Sequence, residues 1–210
     1  MPTPEIHATL SASASNSWLK CPQYIKVQKM FSEATSPYAE KGRLAHAIAE
    51  FKARTYVHEP LGKRAYNSRL KKFAAEPNYD PAMEEATELY LETRVDYSEY
   101  APGGFGTADC IMIGGNRIVV VDYKNGAGVP VFAEGNSQMG LYTLGALATF
   151  RPVYGDTITE ALLVIVQPHA GGVKSWETSV ANLVTWGTEF VVPRARIALE
   201  GTEPACAGDW

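Results

Sequence analysis

The chain has 210 residues, 46% of them apolar and 20% charged, with a formal net charge of −4, a composition that argues against disorder and provides for one domain with a real core. No apolar run approaches the length of a membrane span, and the first thirty residues carry no basic-then-apolar leader. Three cysteines, Cys21, Cys110 and Cys206, stand far apart with no CxxC pair, which argues against a disulfide framework and fits a reducing cytoplasm.

In chain order, a first helix is expected from Ser15 or Asn16 as N-cap, with Trp18, Ile25 and Phe31 near helical spacing. A second is expected from Ser36 as cap and Pro37 at the first helical position, with Leu44, Ile48 and Phe51 as one apolar stripe. Residues 58–81 are polar, basic and broken by Pro60, Pro77 and Pro81, which predicts a loop with a short helix. Residues 82–100 predict a third, acidic helix, with a change to strand near Arg94 as the alternative. Two β-rich runs then flank a Gly-Gly-Asn turn between Gly104 and Lys124, the signal of a hairpin. Leu141, Leu144, Leu147 and Phe150 mark a buried helical stripe, and residues 159–168 an apolar strand stopped by Pro168. A last helical region over 179–201 is expected to be interrupted at Pro193. The order predicts an α/β sandwich around a mixed sheet, in one domain over residues 1–210. Its helical part spans about 1–100, and its hairpin core and C-terminal α/β part about 101–210.

The hairpin concentrates the chemistry. If residues 114–117 form its loop, Ile113 faces Ile118 and Asp109 falls opposite Asp122. Lys124, two residues beyond Asp122, shares its strand face. Two acids and a lysine at one spot can hold Mg²⁺ and stabilise phosphoryl charge; the alternative is a surface acid at each strand end with a salt-bridging lysine. His46 and Glu50, four apart, share a helix face, and a neutral imidazole there completes the shell of a divalent ion such as Mn²⁺ or simply bonds across a helix contact. Gln138 and Tyr142 form a second i, i+4 pair, able to touch a phosphate or orient the lysine. No GxGxxG or GxxxxGKS cradle is present, Ser137 and Ser179 lack a nucleophile elbow, and Cys21 reads best as a buried structural thiol. Charge is uneven: residues 1–75 carry 12 Lys/Arg against 5 Asp/Glu, and residues 76–210 carry 7 against 18. That is compatible with a basic face for phosphate and an acidic part for cations, or with solvated helix faces that differ by chance.

Four pieces follow in order: G-x-x-x-H at Gly42–His46, G-T-A-D at Gly106–Asp109, V-V-D-Y-K at Val120–Lys124 and Q-x-x-x-Y at Gln138–Tyr142. This order resembles the RecB-type branch of the PD-(D/E)XK nucleases, and "LSASASNSWLKCP" with the stretch from Gly106 to Leu147 resembles a phage and prophage nuclease domain family over nearly the whole chain. The resemblance implies the PD-(D/E)XK restriction-endonuclease-like fold, a Mg²⁺- or Mn²⁺-dependent deoxyribonuclease, an exonuclease role in phage recombination, and a bacterial cytoplasmic setting. It implies His46, Asp109, Asp122 and the Tyr123 carbonyl as metal ligands and Lys124 as the catalytic lysine. Gln138 and Tyr142 would lie near the lysine and the DNA, and Arg43 among the phosphate contacts. Asp122 stands where the commoner residue is Glu. Expected partners are DNA and a phage single-strand annealing or recombination protein, with no membrane and an open oligomeric state; a non-catalytic DNA-binding partner with the same fold is the alternative. Relatives with an iron–sulfur cluster use one N-terminal and three C-terminal cysteines. Cys21, Cys110 and Cys206 cannot supply such a set, so no cluster is expected unless the sequence continues.

Overall fold

A computed structural model describes residues 8–30, 37–58, 88–126 and 128–205. After a 3₁₀ turn at Ala12–Ala14 come α1 (Ser15–Trp18), α2 (Tyr24–Gln28) and α3 (Pro37–His58). The strands β1 (Glu88–Asp96), β2 (Phe105–Gly114) and β3 (Arg117–Tyr123) follow. Then come α4 (Ser137–Tyr154), β4 (Glu160–Gln167), β5 (Gly172–Ser179), α5 (Val180–Trp186), a π turn at Gly187–Val191 and α6 (Val192–Glu200). The strands form one five-stranded sheet in the order β1-β2-β3-β4-β5. All neighbours are antiparallel except β3 and β4, which α4 joins as a crossover. This is the expected mixed α/β architecture, a mixed sheet with flanking helices.

The core lies between the sheet and α4. Ile111 and Ile113 of β2, Ile118 and Val120 of β3, and Leu163 and Ile165 of β4 are fully buried, and α4 buries Met139, Leu141 and Leu144 over them. Asn136 caps α4 by accepting from the Met139 N–H. The N-terminal segment closes one end of this core: Leu10 and Trp18 are buried, and Trp18 Nε1 donates to Ser11 O at 2.9 Å.

Several expectations change. The first helix divides into α1 and α2, since Pro22 cannot continue the first; Ser15 does not cap it and instead places its Oγ 2.7 Å from Ser137 Oγ. Phe31 and Ser36, residues 59–87, and Cys206 lie outside the described residues. Pro37 does open α3, but Leu44, Ile48 and Phe51 are 63%, 46% and 70% exposed. The flank turned to the sheet is that of His46, Ala49, Glu50 and Ala53, whose two alanines allow close approach. The acidic helix over 82–100 is replaced from Glu88 by β1, because pairing with β2 overrides the helix-forming Glu and Leu residues. β5 was not expected at all. The C-terminal helix is not interrupted at Pro193: the π turn at Gly187–Val191 absorbs the hydrogen bond that proline cannot donate.

Candidate functional site

Register builds the site. Gly115 adopts φ 58°, as a two-residue hairpin loop requires, and Gly114 pairs with Arg117, Ile113 with Ile118 and Cys110 with Val121. The paired ladder ends there, and Asp109 and Asp122 are the next residues along the two strands beyond it. On the other side, β1 pairs Leu91 with Cys110 and Thr93 with Ala108, which sets Glu92 against Asp109. Glu92, Asp109 and Asp122 thus come from three adjacent strands, and the Asp109 charge raises both of the others, a repulsion that a cation would relieve. Glu92 interrupts its strand with φ 46°, the single non-glycine residue at positive φ among the described ones, a strained backbone of the kind kept at functional positions.

Asp109 sits where β2 and β3 part. Its Oδ2 accepts the Tyr123 N–H at 2.7 Å, standing in for the main-chain carbonyl that a continued ladder would offer. The same oxygen lies 3.2 Å from His46 Nδ1, brought over the sheet by α3. The His46 and Tyr123 rings meet edge to face at 5.7 Å. His46, Glu92 and Asp109 each bring one donor atom within 4.8 Å of the others, a group that could hold a metal ion. One imidazole and two carboxylates suit a divalent cation such as Mn²⁺. These residues, with Glu50, Cys110 and Tyr123, line a cavity of about 170 Å³ between α3 and the sheet.

Asp122 belongs to the α4 side. It is 2% exposed, and its Oδ1 accepts from Gln138 Nε2 at 3.1 Å. Lys124 Nζ stands 3.0 Å from Oδ2, but at an angle that leaves this buried oxygen without a hydrogen-bond donor. Lys124 donates instead to Gln138 Oε1 at 2.9 Å. Gln138 therefore grips both charged groups, and its Nε2 also lies 3.4 Å from the Tyr142 hydroxyl. The buried Tyr142 ring rests on Gly106, where a Cβ would come within 2.6 Å of it, which is why the G-T-A-D stretch of β2 opens on glycine.

Electrostatics follow the geometry. Burial pushes the Asp122 carboxyl above the ordinary carboxylate range; Lys124 pulls it back and Asp109 raises it again. Burial raises Glu92 as well, reinforced by Asp109 and Glu50. The hydrogen bond to Asp109 holds His46 above the usual imidazole value against the effect of burial. Burial pushes the Cys110 thiol up to about 12, unsuited to thiolate chemistry.

His46, Asp109, Tyr123, Asp122, Lys124, Gln138 and Tyr142 thus form one contiguous neighbourhood. Arg43 is exposed on α3, one turn before His46. Sequence reasoning missed two residues. Glu92 was hidden by the helical reading of its segment, and only the strand pairing reveals it. Gln167 is 1% exposed; it accepts from Val131 N at 2.8 Å and donates to Gly126 O and Val129 O at 3.0 Å each, pinning the glycine-rich loop beyond Lys124. A glutamine within an apolar strand was the available signal.

The family model described as "Protein of unknown function (DUF2800)" matches residues 7–93 and 86–210. The chain belongs to that family. Among solved structures, it is similar to the crystal structure of SSO0001 at 12% identity and a TM-score of 0.39, over 97% of this chain and 81% of that one. It is also similar to an alkaline exonuclease from Laribacter hongkongensis at 10% identity and a TM-score of 0.31, over 90% of this chain and 89% of that one. No helix among the described residues is long and apolar enough to cross a membrane.

Proposed function

We propose that this DUF2800 chain is a divalent-metal-dependent nuclease of the PD-(D/E)XK type, hydrolysing DNA phosphodiester bonds as an exonuclease in phage recombination or DNA processing. The observation that carries the reading is the His46, Glu92 and Asp109 donor group beside Asp122, whose carboxyl feels the Asp109 charge and faces Lys124 at the strand end. His46, Glu92 and Asp109 would hold the cation, with Asp122 and the Tyr123 carbonyl as the further ligands implied by the resemblance. A Mg²⁺ or Mn²⁺ ion there supplies Lewis-acid activation of water and neutralises phosphate charge. Lys124 has one N–H directed to Gln138 and faces Asp122, which leaves a donor for a phosphate oxygen. Gln138 orients that ammonium, and Arg43 offers a phosphate contact from α3.

A cleavage assay on end-labelled linear and circular DNA, with and without Mn²⁺, tests the proposal. Metal-dependent loss of linear DNA is expected, and Lys124→Ala should reduce it by ~100-fold or more while the chain still folds, as circular dichroism would read. Cleavage insensitive to Lys124→Ala would remove the site assignment. A second reading, a non-catalytic DNA-binding partner, draws on the engagement of Asp122 by Lys124 and Gln138 outside the three-residue donor group; metal-independent DNA binding without cleavage would establish it.

A further inference from the structure

A second cavity, of about 180 Å³, opens on the other flank of the first turn of α4. Its walls are the indoles of Trp176 on β5 and Trp186 on α5, and its edge carries Thr178, Asn182 and Asn136. No charged side chain lines it. Gly140 forms its floor: a Cβ there would stand 2.8 Å from Trp186 Cζ3, so the indole lies against bare helix backbone. Both tryptophans are half-buried, and neither ring stacks on another aromatic ring among the described residues. Both indole N–H groups, the Thr178 hydroxyl and the Asn182 side-chain amide lack hydrogen-bond partners among the described residues. The pocket therefore offers aromatic surface, an uncharged polar edge with donors and an acceptor, and room for one planar ring; a cavity of ~150 Å³ holds benzene.

Asn136 and Gly140 each lie two residues from Gln138, which holds Lys124 and Asp122 from the opposite flank of α4. The two sites are separated by roughly one helix diameter, ~10 Å. We propose that this cavity takes up an unpaired nucleobase of the strand whose phosphate lies at Lys124, by stacking on the indoles and hydrogen bonding of its edge to Asn182 and Thr178. The substrate is then single-stranded, or frayed, at the point of attack. This inference rests on the nuclease reading for what it is used for, but the base-binding property can be measured without turnover.

The test is a fluorescence titration of the full chain in EDTA. Three probes are compared: a single-stranded thymidine 12-mer, an abasic 12-mer of equal charge, and a blunt 12-base-pair duplex. The thymidine strand should quench tryptophan emission saturably and bind about tenfold more tightly than the other two, the range expected of one stacked base. Asn182→Ala, at an exposed position, and Gly140→Ala, which displaces the Trp186 ring, should each erase that preference while leaving abasic-strand binding unchanged. Equal affinity for thymidine and abasic strands, or a preference that survives both substitutions, overturns the base site and leaves the nuclease reading untouched. Selective quenching by a chain that, supplied with Mn²⁺, cleaves no DNA keeps the base site and retires the nuclease reading.

Discussion

Glu92 combines a positive φ, a desolvated carboxyl and two acidic neighbours, and each of these costs the metal-free chain stability. Because burial raises its pKa above the unfolded value, the folded chain binds more protons there. Its relative stability is complete below the ordinary carboxylate range and is lost as pH rises through the raised value. Glu92→Gln should accordingly raise the thermal midpoint of the metal-free chain at pH 8 and not at pH 4, while shrinking the midpoint shift produced by saturating Mn²⁺; calorimetry at both pH values reads both effects. His46 gives the complementary dependence. Asp109 keeps a proton on the imidazole to a higher pH than usual, and on the nuclease reading His46 must shed it to hold the cation. Mn²⁺ affinity should therefore rise with pH up to that raised value, with proton release detectable by titration calorimetry in buffers of different ionisation enthalpy.

At the scale of elements, the site depends on how closely α4 lies on the sheet. Gly106 lets the Tyr142 ring rest on β2, and that ring stands beside the amide which orients Lys124. Gly106→Ala should cost about 1–3 kcal/mol in denaturant unfolding, a typical overpacking penalty, and should lower turnover as Gln138 is displaced. The hairpin was legible in the sequence because Gly-Gly-Asn between apolar runs has a local cause, and it carried Asp109, Asp122 and Lys124 with it. α4 and β4 were legible for the same reason, their apolar spacing. β1 was not, because Glu88–Asp96 is rich in helix formers and becomes a strand only through its partner, and Glu92 was lost with it. β5 exposes Val173, Ser175 and Glu177 on alternate positions around Lys174 and Trp176, too polar a run to announce a strand.

Across the whole molecule, one sheet serves two faces of unequal firmness. The α4 face is closed by fully buried aliphatics and holds Asp122, Lys124 and Gln138 in a hydrogen-bonded set. The α3 face is lighter: no side chain described between Glu40 and Arg54 is fully buried, and the apolar stripe expected to anchor this helix points outward. His46 is the member of the metal-donor group that rides on α3, whereas Glu92 and Asp109 belong to the sheet. On the nuclease reading, a cation between them is also a clasp. An ion held there would tie a helix whose own packing is slight to the sheet, so that its binding would also stabilise α3 in place.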